Sequence, residues 1–126
     1  MFKNLIAVYT LQYRLWSIYS KKGSSMGQTL ISEDGCFEWD EEKTIANKKK
    51  HGIAFEKVLP VFLDPRKVEF RDESHSDYEE RYITIGNVSR RTVLLVVVCS
   101  TERSGRTRLI SARRASRIEE GIYYGK

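Results

Sequence analysis

Apolar positions along the chain follow two periods. Phe55, Val58, Leu59, Phe62 and Leu63 recur at i, i+3, i+4, i+7 and i+8, the stripe of a core-facing helix, which predicts a helix at about 54–63. Pro60 removes a backbone donor inside that stretch, so a bend or a shorter helix is expected there. From Val68 the period changes to two. "KVEFRD" and "RYITIGN" alternate apolar and polar side chains as half-buried strands do, "TVLLVVVCST" is a continuous apolar run suited to a central strand covered on both faces, and "RTRLISAR" is the last strand. The intervening "DESHSDYEE", "NVSRR" and "RSG" are turn-like and imply an antiparallel meander.

Two further helices are marked by their ends. "CFEWDEEKTIANKKKHG" reads as a short extended entry followed by a helix. Asp40 is its expected N-cap, Glu41 and Glu42 suit its positive first turn, and Lys48 to His51 lead into Gly52 as the closing residue. In "SRIEEGIYYGK", Ser116 and Glu119 match the capping box of a short final helix. The first 25 residues differ from the rest. Val8, Leu11, Leu15 and Ile18 form a weak amphipathic stripe, Gln12 and Arg14 interrupt the apolar run, and no A-x-A site follows, so a cleaved secretory signal is not expected. Met26, after the polar "KKGSSMGQ", offers an alternative start, and residues 1–25 are expected to be dispensable.

Charge refines this picture. The 126-residue chain suits one compact domain and carries a net charge of +5, unevenly distributed. Residues 26–80 hold eight basic and fourteen acidic groups, whereas 81–126 hold ten basic against three acidic. The C-terminal half is therefore a cationic pole fitted to a polyanion. Cys36 and Cys99 are too few for a disulfide scaffold and lack metal spacing, which points to a reducing, cytoplasmic setting with free thiols. No stretch is long and apolar enough to span a membrane, and neither phosphate-binding loops nor a G-x-S-x-G elbow occurs. No metal site is expected; His75 reads as a loop residue.

The cations converge once strand register is considered. A two-residue hairpin with Ser104 and Gly105 at its tip pairs Thr101 with Arg108, Cys99 with Ile110 and Val97 with Ala112, on the face that carries Arg103 and Arg106. Even parity in the preceding hairpin adds Arg81 to that face. Arg113 falls on the opposite face unless the strand has ended by Ser111; bridging to the final helix is its alternative role. A solvated hairpin tip accounts for any one arginine, but several on one face point to an anion site. His51 has a similar duality: the negative end of the helix dipole explains it, and so does proton transfer.

The order of these motifs, "FEWDEEK", "N..KHG..F", "VFLDP", "EER...IG", "TER" and "RLISARRAS..E...Y", resembles the BrnT family of ribonuclease toxins from Phe37 to Tyr123. The resemblance implies an α+β, RelE-like fold with two N-terminal helices packed on a four-stranded antiparallel sheet and a short C-terminal helix. It divides the chain into an extension, 1–35, and a toxin domain, 36–126. It also implies a type II toxin–antitoxin system with a BrnA-like ribbon-helix-helix antitoxin, and promoter DNA reached only through the complex. Carried over by position, Lys50, His51, Arg81, Arg103 and Arg113 become the catalytic candidates.

RNA is cut without a cofactor when its own 2′-hydroxyl attacks the adjacent phosphorus, which demands alignment, proton transfer and stabilisation of negative charge. His51 is the expected acid or base and Lys50 its electrostatic partner. Arg81, Arg103, Arg108 and Arg113 are the expected phosphate clamps. Glu80 is a weaker candidate base, and Tyr82 or Tyr78 can stack a nucleobase. The rival from another class is a noncatalytic module that binds RNA or an acidic protein through the same surface.

Overall fold

The structure is a computed structural model and describes residues 27–76 and 78–126. The weak helix and the alternative start expected within residues 1–26 lie outside those residues.

The described chain is α+β. Strands β1 (Thr29–Ile31) and β2 (Phe37–Asp40) lead into helix α1 (Glu41–His51), then a four-residue helix α2 (Phe55–Val58) that continues as a 3-10 segment, Leu59–Leu63. Strands β3 (Val68–Arg71), β4 (Arg81–Asn87), β5 (Leu95–Arg103) and β6 (Arg106–Arg114) precede helix α3 (Arg117–Tyr124). The sheet has six strands in the order β1-β2-β6-β5-β4-β3.

Two expectations are corrected here. The sheet is mixed and six-stranded, because β2 pairs in parallel with β6, through Phe37 with Thr107 and Glu38 with Arg108, and β1 adds antiparallel to β2. The extended entry before α1 is thus itself a strand, in a direction that depends on a partner 70 residues away. The second of the expected N-terminal helices is also shorter: α2 ends at Val58, and Pro60 sits at the start of the 3-10 segment, where its missing donor costs least.

Helices cover both faces of the sheet. On one face Phe55, Val58 and Val61 pack with Trp39, Val96, Val98, Leu109 and Ala112. On the other, Ile122 of α3 packs with Ile83, Ile85, Val97 and Cys99. Coverage on both sides is why β5 is an unbroken apolar run, with Val96 through Cys99 fully buried. The second face carries the odd-numbered residues of β4 and β5 and is called the odd face below; the first is the even face.

The ends of α1 follow the sequence. Asp40 accepts hydrogen bonds from the backbone N–H of Glu42 (2.8 Å) and Lys43 (3.2 Å), and Gly52 closes the helix at φ 76°, a conformation that would strain any side chain. Beyond its short pairing with β2, β6 has an open edge beside α1. Asn47 fills the gap: its amide donates to the carbonyls of Ala112 (2.7 Å) and Ile53 (2.8 Å) and accepts from the Ala112 N–H (3.1 Å). One side chain thereby replaces a strand partner and lays α1 along β6.

Candidate functional site: an arginine row on the odd face

The row is built by register. β4 and β5 pair Arg81 with Thr101, and β5 and β6 pair Thr101 with Arg108 and Arg103 with Arg106. Glu38 of β2 stands next to Arg108. Across four strands the order is therefore Glu38, Arg108, Thr101, Arg81, all on the odd face. Ser104 at φ 54° and Gly105 at φ 79° turn the hairpin that closes this end.

A β-bulge extends the row. Between Cys99 and Ser100 the register shifts, so that Cys99 opposes Ser111 and Val97 opposes Arg113. Ile110 is the extra residue, and it reverses the parity of everything after it. Arg113 consequently joins Arg81, Arg103 and Arg108 on one face, which simple hairpin counting does not give. The Ser111 hydroxyl, in the middle of this shift, is buried without a hydrogen-bond partner among the described residues.

Whereas Arg106 Nε donates to the Gly35 carbonyl (3.0 Å), Arg81, Arg103, Arg108 and Arg113 each meet a carboxylate. Glu79 bridges two of them, its Oε1 accepting from Arg81 Nη2 (3.2 Å) and its Oε2 from Arg103 Nη2 (3.2 Å). Arg108 Nη1 donates to Glu38 at 2.5 Å. Arg113 donates through both terminal nitrogens to Glu119, each at 2.6 Å, a bidentate pair. Glu119 also accepts from the Ser116 N–H (2.6 Å), closing the capping box of α3.

The segment before Arg81 is held from below. Ser76 Oγ donates to the Asp72 carbonyl (2.5 Å) and accepts from the Arg81 N–H (3.1 Å), while Thr101 Oγ1 donates to the Glu80 carbonyl (2.6 Å). Asp72 is buried and hydrogen-bonded to Ser74 and His75. His75 is thus part of a structural turn.

Helix α1 adds cations at two points. Lys43 is half-buried and its ammonium is held below the usual lysine range, first by that burial and then by Arg81, with Asp40 acting in the opposite direction. His51 is held below the usual imidazole value, first by burial and then by the cations Lys50 and Arg113. The dipole argument alone predicts the opposite direction; desolvation and like charge outweigh it here. Eight residues of helix separate Lys43 from His51, about 12 Å.

The expected site residues therefore form two stations. Arg81, Arg103 and Arg108 stand with Lys43, Glu79 and Glu38 at one end of the row, and Lys50, His51 and Arg113 stand at the other. His51 and Arg81 belong to different stations, and His51 also lines a cavity of about 270 Å³ with Ile53, Lys57, Val96 and Arg114. Glu80 and Tyr82 turn away from the row. Tyr82 donates to Glu80 Oε2 (2.8 Å) and projects from the even face, with Arg71 near the same carboxylate at 3.6 Å. Glu79 and Lys43 were not expected from the sequence; the doublet Glu79-Glu80 next to Arg81 was the available signal, and strand parity does not extend into the turn to choose between its members. Among the described residues, no three His, Cys, Asp or Glu side chains are grouped to hold a metal ion.

Fold and site together define a small α+β domain that presents guanidinium groups from three adjacent strands on one sheet face. The family model described as "Ribonuclease toxin, BrnT, of type II toxin-antitoxin system" matches residues 39–119, and the chain belongs to that family of ribonuclease toxins. A 1.1 Å crystal structure of the Brucella abortus ribonuclease toxin BrnT is similar, with 26% identity, coverage of 63% of this chain and 94% of that one, and a TM-score of 0.49. Among curated proteins, none matches. No helix among the described residues is long and apolar enough to cross a membrane.

Proposed function

We propose that this chain is the toxin of a type II toxin–antitoxin pair and an endoribonuclease that cleaves by 2′-hydroxyl attack on the adjacent phosphorus, leaving a 2′,3′-cyclic phosphate. The observation that carries the reading is the row of guanidiniums on the odd face, joined by Lys43. Negative charge grows on the phosphate oxygens during such an attack, and fixed cationic donors stabilise it most where water is partly excluded. In this reading Arg81, Arg103 and Arg108 hold the scissile phosphate and its neighbour. Lys50 and His51 meet a flanking nucleotide about 12 Å away, roughly the rise of three or four stacked nucleotides. Arg113 acts through α3, which it anchors. Tyr78, fully exposed beside Glu79, offers a ring to a nucleobase.

The reaction in this reading uses side-chain cations to stabilise charge and takes no metal. Its antitoxin is a BrnA-like ribbon-helix-helix protein that covers the cationic face, and the complex, through the antitoxin, reaches promoter DNA. The family description supports an antitoxin partner. The test is incubation of the purified chain with RNA in excess EDTA. Fragments with 2′,3′-cyclic phosphate ends are expected; intact RNA, or fragments only after a divalent cation is restored, overturns the reading. Intact RNA bound in a salt-dependent manner would instead favour the noncatalytic module.

A further inference from the structure

Three carboxylates hold Arg81, Arg103, Arg108 and Arg113 on the odd face, and their burial separates them. The Glu38 side chain is 7% exposed beside Arg108, and that of Glu119 is 0% exposed beside Arg113. Glu79 is 32% exposed. Its two oxygens occupy the position between Arg81 and Arg103, 3.2 Å from each guanidinium, where a phosphate carrying two outward oxygens would be bound. Glu38 and Glu119 are sealed parts of the fold, whereas Glu79 sits at the mouth of the site and can be reached by a substrate.

We infer that Glu79 is the group that accepts the proton of the attacking 2′-hydroxyl. This rests on the ribonuclease reading above. The candidates expected from the sequence fit the position less well: Glu80 points to the even face with Tyr82, and His51 lies about 12 Å along α1 from Lys43, the helix residue that feels Arg81. An incoming phosphate takes over the contacts that Arg81 and Arg103 make with Glu79, and the displaced carboxylate remains beside the ribose on the 3′-phosphate side. The proton of the 2′-hydroxyl passes to a Glu79 oxygen as the 2′-oxygen bonds to phosphorus. The bond from phosphorus to the 5′-oxygen breaks, that oxygen takes a proton from water, and Glu79 returns its proton to solvent. The hydrogen bonds that Ser76 makes with the Arg81 N–H and Thr101 with the Glu80 carbonyl fix the backbone immediately after Glu79, which contributes to the preorganisation a positioned base requires.

A carboxylate in this place can instead be only a latch that competes with RNA for the arginines, and the two roles predict opposite results. The experiment compares the full chain with Glu79→Gln and Glu79→Asp on a mixed-sequence RNA oligonucleotide. Affinity is measured separately on the 2′-O-methyl form of the oligonucleotide, which cannot be cut. For a base, Glu79→Gln lowers kcat by about 10²- to 10⁴-fold, keeps or tightens binding, and loses the acidic limb of the pH–rate profile, while Glu79→Asp retains part of the activity and that limb. Glu79→Gln cleaving at the parental rate or faster, with the parental profile, overturns the assignment and leaves the ribonuclease reading intact. A parent that leaves RNA uncut removes both. Equal thermal unfolding midpoints show that neither substitution acts through folding.

Discussion

Arg81 and Arg113 project from the same face of one sheet, and each is held by a carboxylate of the same chain. Their surroundings differ. Glu119, in the first turn of α3, is sealed, accepts hydrogen bonds from both terminal guanidinium nitrogens of Arg113 and also caps its own helix. Glu79 is divided between two arginines and open to solvent. A bidentate pair whose carboxylate is sealed ties two elements together and leaves a ligand no carboxylate to displace. A bridging carboxylate at the surface holds two guanidiniums side by side and can be exchanged. Sequence motifs register both as an arginine near a glutamate, and only burial tells the joint from the site.

The sealed pair gives the largest expected effect. Glu119→Ala leaves the Arg113 charge without its carboxylate and α3 without its capping box, and is expected to cost about 3–5 kcal/mol, read as a fall in the urea unfolding midpoint. Replacing both members by apolar side chains, Arg113→Met with Glu119→Leu, is expected to recover most of that loss. A double variant as unstable as the single would mean that the pair is more than a joint. At the open station the effect moves from stability to catalysis. Arg81→Ala is expected to lower kcat by about 10²- to 10³-fold, and Arg81→Lys restores little, because an ammonium does not reproduce the planar fork. Variants shown to be folded that cleave RNA at the parental rate would reverse the comparison.

Between the stations lies Asn47, buried on α1, whose amide completes the edge of β6. Lys43 and Lys50 are its i−4 and i+3 neighbours, so the same contact that docks the helix sets the distance between the two groups of cations. Asn47→Ala strands both the N–H and the carbonyl of Ala112 and is expected to cost about 2 kcal/mol in urea unfolding. A loss below about 0.5 kcal/mol would mean that the edge is satisfied in another way.

These particulars show what the sequence could reveal. Both ends of α1, the capping box of Ser116 and Glu119 and the central position of β5 are local or compositional signals, and each was legible. The parallel pairing of β2 with β6 was not, because "FEWD" carries no mark of the direction of its partner. The bulge at Ile110 was hidden too, since no glycine announces it, and with it the reason Arg113 reaches the odd face. The proposed site was legible as arginines but not as an arrangement. Asn47, Asp64, Glu119 and Tyr123, which belong to the motifs of the family resemblance, prove to be fasteners: the Tyr123 hydroxyl donates to Asp64 Oδ2 at 2.7 Å, and burial together with that bond raises its pKa to about 12. Motif order records the joints of a fold as faithfully as its chemistry.

The smallest effect belongs to His51, and its sign separates two accounts of the helix end. If the α1 dipole governed this residue, protonation would favour the folded state, and stability would rise as pH falls below the ordinary imidazole value of about 6.5. Burial, Lys50 and Arg113 lower the folded value instead. Protons then bind the unfolded chain more readily, so the contribution of neutral His51 is complete above pH 6.5 and is lost as pH falls through the folded value. Between pH 7.5 and 5 the urea midpoint of the parent is expected to fall more steeply than that of His51→Asn, which cannot titrate in this range. The same variant should cleave RNA within about tenfold of the parent, because the proposed proton acceptor lies at the other station. A parental midpoint that holds steady or rises on acidification, relative to His51→Asn, would return control of this site to the dipole. A loss of cleavage as deep as that of Arg81→Ala would place the imidazole beside the scissile phosphate and merge the two stations into one.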